Sequence, residues 1–127
     1  MSIDTIHMIC HAFLMPRASR VTSGLPPQSK RALVSLGKDI TVARKRRKIS
    51  QQIMAERMFV SVQTVQRLES GDPTVGIAVL ASALFVLGFT KRLAELAAPE
   101  SDQVGMREHL ARLPKKTHSE SSKDLDF

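Results

Sequence analysis

The stretch SQQIMAERMFVSVQTVQRLESG runs from Ser50 to Gly71 and holds two short helical patterns with only Phe59, Val60 and Ser61 between them. Ser50 and Ser61 read as N-caps, because a serine Oγ can accept from the unsatisfied N–H groups of a first helical turn. They predict helices running to Met58 and to Ser70, with Gly71 just past the end of the second. In that second helix Val65 and Leu68 form an inner face, three apart. Gln63, Gln66 and Arg67 are three and four apart, so they share a different face. That face is polar but short of acids.

Such a face has a chemical use. Glutamine can bond adenine in bidentate fashion, and arginine can bond guanine O6 and N7. Ser61 and Thr64 at the helix start suit phosphates, helped by the helix dipole. A short helix, a three-residue turn and a polar-outward helix make the helix-turn-helix plan, whose second helix lies in a major groove. The same face also suits the solvated side of an ordinary helical bundle.

The charge distribution bears on that choice. The 127-residue chain has a net charge of +7. Ten Lys or Arg against three acids lie between Lys30 and Gly71, while the rest carries nine of each sign, so the whole excess sits on this segment. A local field of that kind favours polyanions, either nucleic acid or an anionic membrane surface. With five Phe and no Trp or Tyr, the chain is short of the stacking platforms that single-strand binders use. The run ARKRRK, 43–48, has five consecutive cations at a helix end. Arg46, Arg47 and Lys48 are candidate phosphate contacts beside a groove, although cations also suit a helix C-terminus simply as solvated charges.

Outward from this centre, the pattern predicts an all-α domain of five helices. The first covers about 31–47, with Leu33, Leu36, Ile40 and Ala43 at helical spacing. The fourth, 74–87, is apolar nearly all round and ends at Gly88, which predicts burial on more than one side. A subunit interface using Val79, Phe85, Val86 and Phe89 would account for the second side. A fifth helix covers 90–97. The expected divisions are a flexible extension over 1–29, a core domain over 30–98, a dimerisation or partner segment over 99–113 with a short helix or strand, and a disordered polar tail over 114–127. Met8 and Met15 are alternative starts to Met1. One cysteine, Cys10, rules out an internal disulfide, no basic leader suggests a signal peptide, and no apolar run approaches the roughly 20 residues of a membrane span. A cytoplasmic location without membrane attachment is expected.

The run LGKDITVARKRRKISQQIMAERMFVSVQTVQRLESG, 36–71, resembles the helix-turn-helix family of Xre, Cro and phage repressors. Its usual marks are an Arg near the end of helix one, Ser-Gln opening helix two, Leu-Ala-Glu, Val-Ser, Thr-Ile or Thr-Val, and a closing Leu-Glu-x-Gly. They correspond here to Arg44, Ser50-Gln51, Met54-Ala55-Glu56, Val60-Ser61, Thr64-Val65 and Leu68-Glu69-Ser70-Gly71. The following DPTVGIAVLASALFVLGFTKRLAELAAPE, 72–100, resembles the continuation in HipB-type antitoxins. The resemblance implies a compact lambda-repressor-like domain. It implies base contacts from Gln63 and Arg67, with Gln66 at the margin and Val62 offering apolar contact. It also implies phosphate contacts from Gln51 and Thr64, and an internal ion pair between Arg44 and Glu69. The family usually has Gly where Phe59 stands, since the turn goes left-handed there. A Phe in that conformation costs about 1–2 kcal/mol.

The expected partners are therefore a palindromic double-stranded operator, a second copy of the chain and a HipA-type kinase toxin. The expected role is an autoregulating repressor and antitoxin. A different class also fits the residues: a protein-interaction module that inhibits or bridges a partner without reading DNA. No phosphate-binding Gly-rich loop, HExxH motif or paired catalytic carboxylates occur, so no enzyme activity and no cofactor are expected. His7, Cys10 and His11 make a poor metal site. Asp72, Glu95, Glu100 and Asp102 read as scattered acids, and His109 and His118 as exposed. The end of the tail, Asp124 to Phe127, suits either a partner-docking segment or a solubilising one.

Overall fold

Ser50 and Ser61 set where the central helices begin. In the computed structural model, which describes residues 20–115, both serines have extended backbone. Ser50 Oγ accepts from Ile53 N at 3.1 Å, and Ser61 Oγ accepts from Thr64 N at 3.2 Å. The helices they start are α2, Gln51–Met58, and α3, Val62–Glu69. Ahead of them lies α1, Pro27–Arg46, and after them come α4, Ile77–Val86, and α5, Thr90–Ala94. A single helical turn, Arg20–Ser23, precedes α1. A 3-10 turn, Pro99–Ser101, leads into α6, Gln103–Arg112, whose first turn is capped by Asp102 Oδ1 accepting from Gly105 N at 2.9 Å. The described residues are helical and contain no strand.

Some boundaries move from those expected. α1 begins at Pro27, so the last residues of the expected extension are helical. Proline suits the first helical position, where its missing N–H has no intrahelical partner and its φ is already set. α4 begins at Ile77 rather than 74, because Asp72 to Gly76 form a turn. Of the two forms left open for 99–113, the helix is the one present. Compact units divide between Leu93 and Ala94, ahead of the expected 98/99 boundary. Residues 1–19 and 116–127 lie outside the described residues, and with them His7, Cys10, His11, His118, the candidate starts and the candidate docking tail.

Four helix ends share one device. In each, a left-handed residue turns the chain, and two backward bonds satisfy the last carbonyls. After α1 the left-handed residue is Lys48 (φ 54°), with Ile49 N donating to Arg44 O at 3.3 Å and Lys48 N to Lys45 O at 2.9 Å. After α2 it is Phe59 (φ 56°), with Val60 N donating to Ala55 O at 3.1 Å and Phe59 N to Glu56 O at 3.2 Å. Gly71 and Gly88, both at φ 77°, do the same after α3 and α4. Phe59 thus holds the left-handed backbone that glycine would adopt without strain.

The core of the first unit draws on α1 to α4. Ile40 and Ala43 come from α1, Met54, Ala55 and Met58 from α2, Val65 and Leu68 from α3, and Ala83 and Leu84 from α4, with Ile49 and Leu87 at helix ends. α1 and the end of α3 meet backbone to backbone. A Cβ at Gly37 would lie 2.4 Å from Glu69 O, and one at Gly71 would lie 2.6 Å from Val34 Cα. No helix of the described residues is long and apolar enough to cross a membrane.

Candidate nucleic-acid interface

The polar face of α3 is held by a buried ion pair. Arg44 Nε donates to Glu69 Oε1 at 2.5 Å and Nη2 donates to Oε2 at 3.2 Å, while Nη1 donates to Ile49 O at 2.8 Å. The two side chains are 8% and 7% exposed. Gln51 Nε2 adds a third donor to Glu69 Oε2 at 2.9 Å. Burial by itself would raise the Glu69 pKa. The hydrogen bonds from Arg44 and Gln51 and the Arg44 charge outweigh it, so the carboxyl stays below its usual range. One acid at the end of α3 thereby fastens α1 and the start of α2.

On the outer side of α3, Gln63, Gln66 and Arg67 are all exposed. Gln63 makes no side-chain hydrogen bond to the described residues. Gln66 Nε2 makes a long bond, 3.4 Å, to Gln51 Oε1. Gln51, expected at a phosphate, therefore has its amide engaged between Glu69 and Gln66. Val62 is half-buried against the core, which limits the apolar surface it can offer a base. Ser61 Oγ shares a hydrogen bond with Thr64 Oγ1 at 2.9 Å, so both hydroxyls sit together at the start of α3.

Arg67 has partners the sequence reading did not foresee. Its Nε donates to Asp72 Oδ2 at 3.0 Å, and its Nη2 donates to Thr74 Oγ1. Thr74 in turn donates to Asp72 Oδ1 through its N at 2.8 Å and its Oγ1 at 2.6 Å. The hydroxyl and backbone N–H of Thr74, then Arg67, hold the Asp72 carboxyl down at about 2. The signal was present as Asp-Pro-Thr just after Gly71. An Asp side chain often closes a turn on the N–H two residues on.

The basic run divides. Arg47 is exposed but already held: its Nη1 donates to Ala43 O and its Nη2 to Leu87 O, each at 2.8 Å. Its guanidinium lies 5.0 Å from the centre of the Phe89 ring, and that of Arg92 lies 4.0 Å from the same ring. Arg47 therefore clamps the end of α4 to the end of α1. Lys45, Arg46 and Lys48 are exposed and make no side-chain hydrogen bond to the described residues.

The expected subunit interface divides as well. Val79, Val86 and Phe89 pack against their own core, and of the four only Phe85 is largely exposed, at 74%. Ile77 of the same helix is also exposed, at 79%. Phe59, in the turn between α2 and α3, is exposed further still, at 96%. Among the described residues no group of three His, Cys, Asp or Glu is placed to hold a metal ion. No protein-family model, curated protein or solved structure matches the chain.

Proposed function

We propose that this chain is a sequence-specific DNA-binding repressor built on a lambda-repressor-like helix-turn-helix domain. In this reading α3 enters the major groove, and Gln63, Gln66 and Arg67 meet base edges. The observation that carries it is the outer face of α3. Two glutamines and an arginine stand exposed on a helix that buries Val65 and Leu68 and whose end is locked by Arg44 and Glu69. Lys45, Arg46 and Lys48 supply cations for phosphates. Gln51, Ser61 and Thr64 stand where the two helices begin, and the first of these must release its internal bonds to reach a phosphate.

A homodimer would place two copies of α3 in successive major grooves, about 34–36 Å apart, with Phe85 and Ile77 of α4 as its apolar contacts. The resemblance of 72–100 to HipB-type antitoxins extends the proposal. The dimer would bind a HipA-type kinase toxin and repress their shared operon in the cytoplasm. A second reading has its own support. Phe59, Phe85 and Ile77 are apolar and exposed, which suits a module that bridges or inhibits a protein partner and reads no DNA.

The test is a titration of the purified chain against the duplex upstream of its own gene and against a scrambled duplex, at two salt concentrations, with Arg67→Ala beside the wild type. Preference for the native duplex by roughly 10³ or more, eroded in Arg67→Ala, is expected. Equal binding to both duplexes, indifferent to Arg67→Ala, would leave the protein-interaction module as the better reading.

A further inference from the structure

Arginine has five N–H donors in a rigid fork, and their use by Arg67 is uneven. Nε and Nη2 lie along one side of the guanidinium, and that side faces Asp72 and Thr74. The outer end of the fork, formed by Nη1 and the second hydrogen of Nη2, has no partner among the described residues, and the side chain is 49% exposed. The opposing groups are themselves fixed. Asp72 N donates to Arg67 O at 3.0 Å across the left-handed Gly71. The Thr74 hydroxyl gives its only proton to Asp72, so a lone pair is turned toward Arg67. Every member of the ring Arg67–Asp72–Thr74 therefore holds another in place.

We propose that Asp72 and Thr74 are positioning residues that fix Arg67 with its outer fork presented to one guanine, making that base pair the most stringently read in each half-site. This inference rests on the reading of α3 as the helix that enters the groove. Guanine fits because its O6 and N7 are two adjacent acceptors, the match for two parallel N–H groups. Adenine offers an amino group at the first of those positions and would leave one donor without a partner. Holding the fork before DNA arrives removes an ordering cost that a loose arginine meets on binding. The low Asp72 pKa agrees with this arrangement, since the carboxylate stays charged and in place at any working pH.

The experiment is selection of duplexes from a randomised pool by the full chain, followed by sequencing, for wild type, Arg67→Ala, Asp72→Asn, Thr74→Val and Thr74→Ser. Far-UV circular dichroism confirms that each variant is folded. Asp72→Asn is chosen because an amide oxygen can still accept from Thr74 N and keep the turn. Wild type is expected to enrich one G·C pair per half-site by about 5- to 150-fold over the alternatives. Arg67→Ala abolishes preference at that pair. Asp72→Asn and Thr74→Val weaken it there alone, by about 2- to 12-fold, the equivalent of immobilising one side chain. Thr74→Ser restores it.

If Asp72→Asn kept the full guanine preference while Arg67→Ala lost it, base reading would stand and the positioning role would fall. A sharper preference in Asp72→Asn would make Asp72 a competitor for Arg67, again overturning the proposal. A wild-type pool with no enriched sequence would remove base reading itself, and the positioning role with it.

Discussion

Removing either partner of the Arg44–Glu69 pair should come close to unfolding the domain. Arg44→Met would leave the Glu69 carboxylate, 7% exposed, with the neutral Gln51 amide and Thr41 hydroxyl as its remaining partners. The charge would then face little water and no cation. A buried ion that loses its partner costs roughly 3–5 kcal/mol, against the roughly 5–15 kcal/mol of a whole small domain. Urea unfolding followed by far-UV circular dichroism measures this directly, and Glu69→Ala should lose a similar amount. The double change Arg44→Met with Glu69→Leu separates charge from shape. It should recover part of the loss, because an apolar pair of similar volume replaces a buried ion pair at little cost. It should still fall short of wild type by about 1–3 kcal/mol, since Ile49 O and the Gln51 amide would lose their partners. Single-variant losses below about 1 kcal/mol would refute the reasoning, because that is how a solvent-screened surface pair behaves.

Three further outcomes follow from particular residues. Phe59→Gly should raise stability by roughly 1 kcal/mol in the same unfolding assay, as left-handed strain of about 1–2 kcal/mol is relieved against the entropy of an added glycine. A loss instead would mean that the 96% exposed ring contributes something the isolated chain needs. Gly37→Ala should cost roughly 1–3 kcal/mol or more, since the new methyl would sit 2.4 Å from Glu69 O, and an unchanged urea midpoint would refute the close crossing of α1 and α3. Stability should also fall in acid through Asp72, whose pKa is lowered from 3.8 to about 2 in the folded chain. Its contribution is complete above the unfolded value and is lost as pH falls toward 2, so thermal melts of Asp72→Asn should show a shallower decline over that window than wild type.

How much the sequence disclosed depended on the distance between the residues concerned. Ser50, Ser61 and Gly71 act on groups within a few residues, so local rules placed α2 and α3 almost to the residue. The pairing of Arg44 with Glu69 spans 25 residues and came only from resemblance, because no local rule links the end of one helix to the end of another. Arg67 falls between these cases. Asp72 and Thr74 are near in sequence, yet Asp72 was read as a stray acid because it lies past the helix end. The outer side of α4 was illegible for another reason: when nearly every position is apolar, periodicity cannot say which face meets the core.

The basic run shows what phase could have settled. Ile40 and Ala43 mark the buried stripe of α1, and Arg44 and Arg47 continue it at helical spacing, while Lys45, Arg46 and Lys48 do not. Those two arginines, one buried and one exposed, are the two that clamp the fold. They differ electrostatically. Arg44 is matched by Glu69, so the pair adds little to the field outside. Arg47 gives two of its five donors to neutral carbonyls, so its charge is undiminished. A polyanion would therefore feel four of the five cations in the run at long range, but only Lys45, Arg46 and Lys48 have side chains with no hydrogen bond to the described residues. The cations of one run thus differ in what they add to the field and in how far the fold already holds them, which a count of charges along the sequence cannot separate.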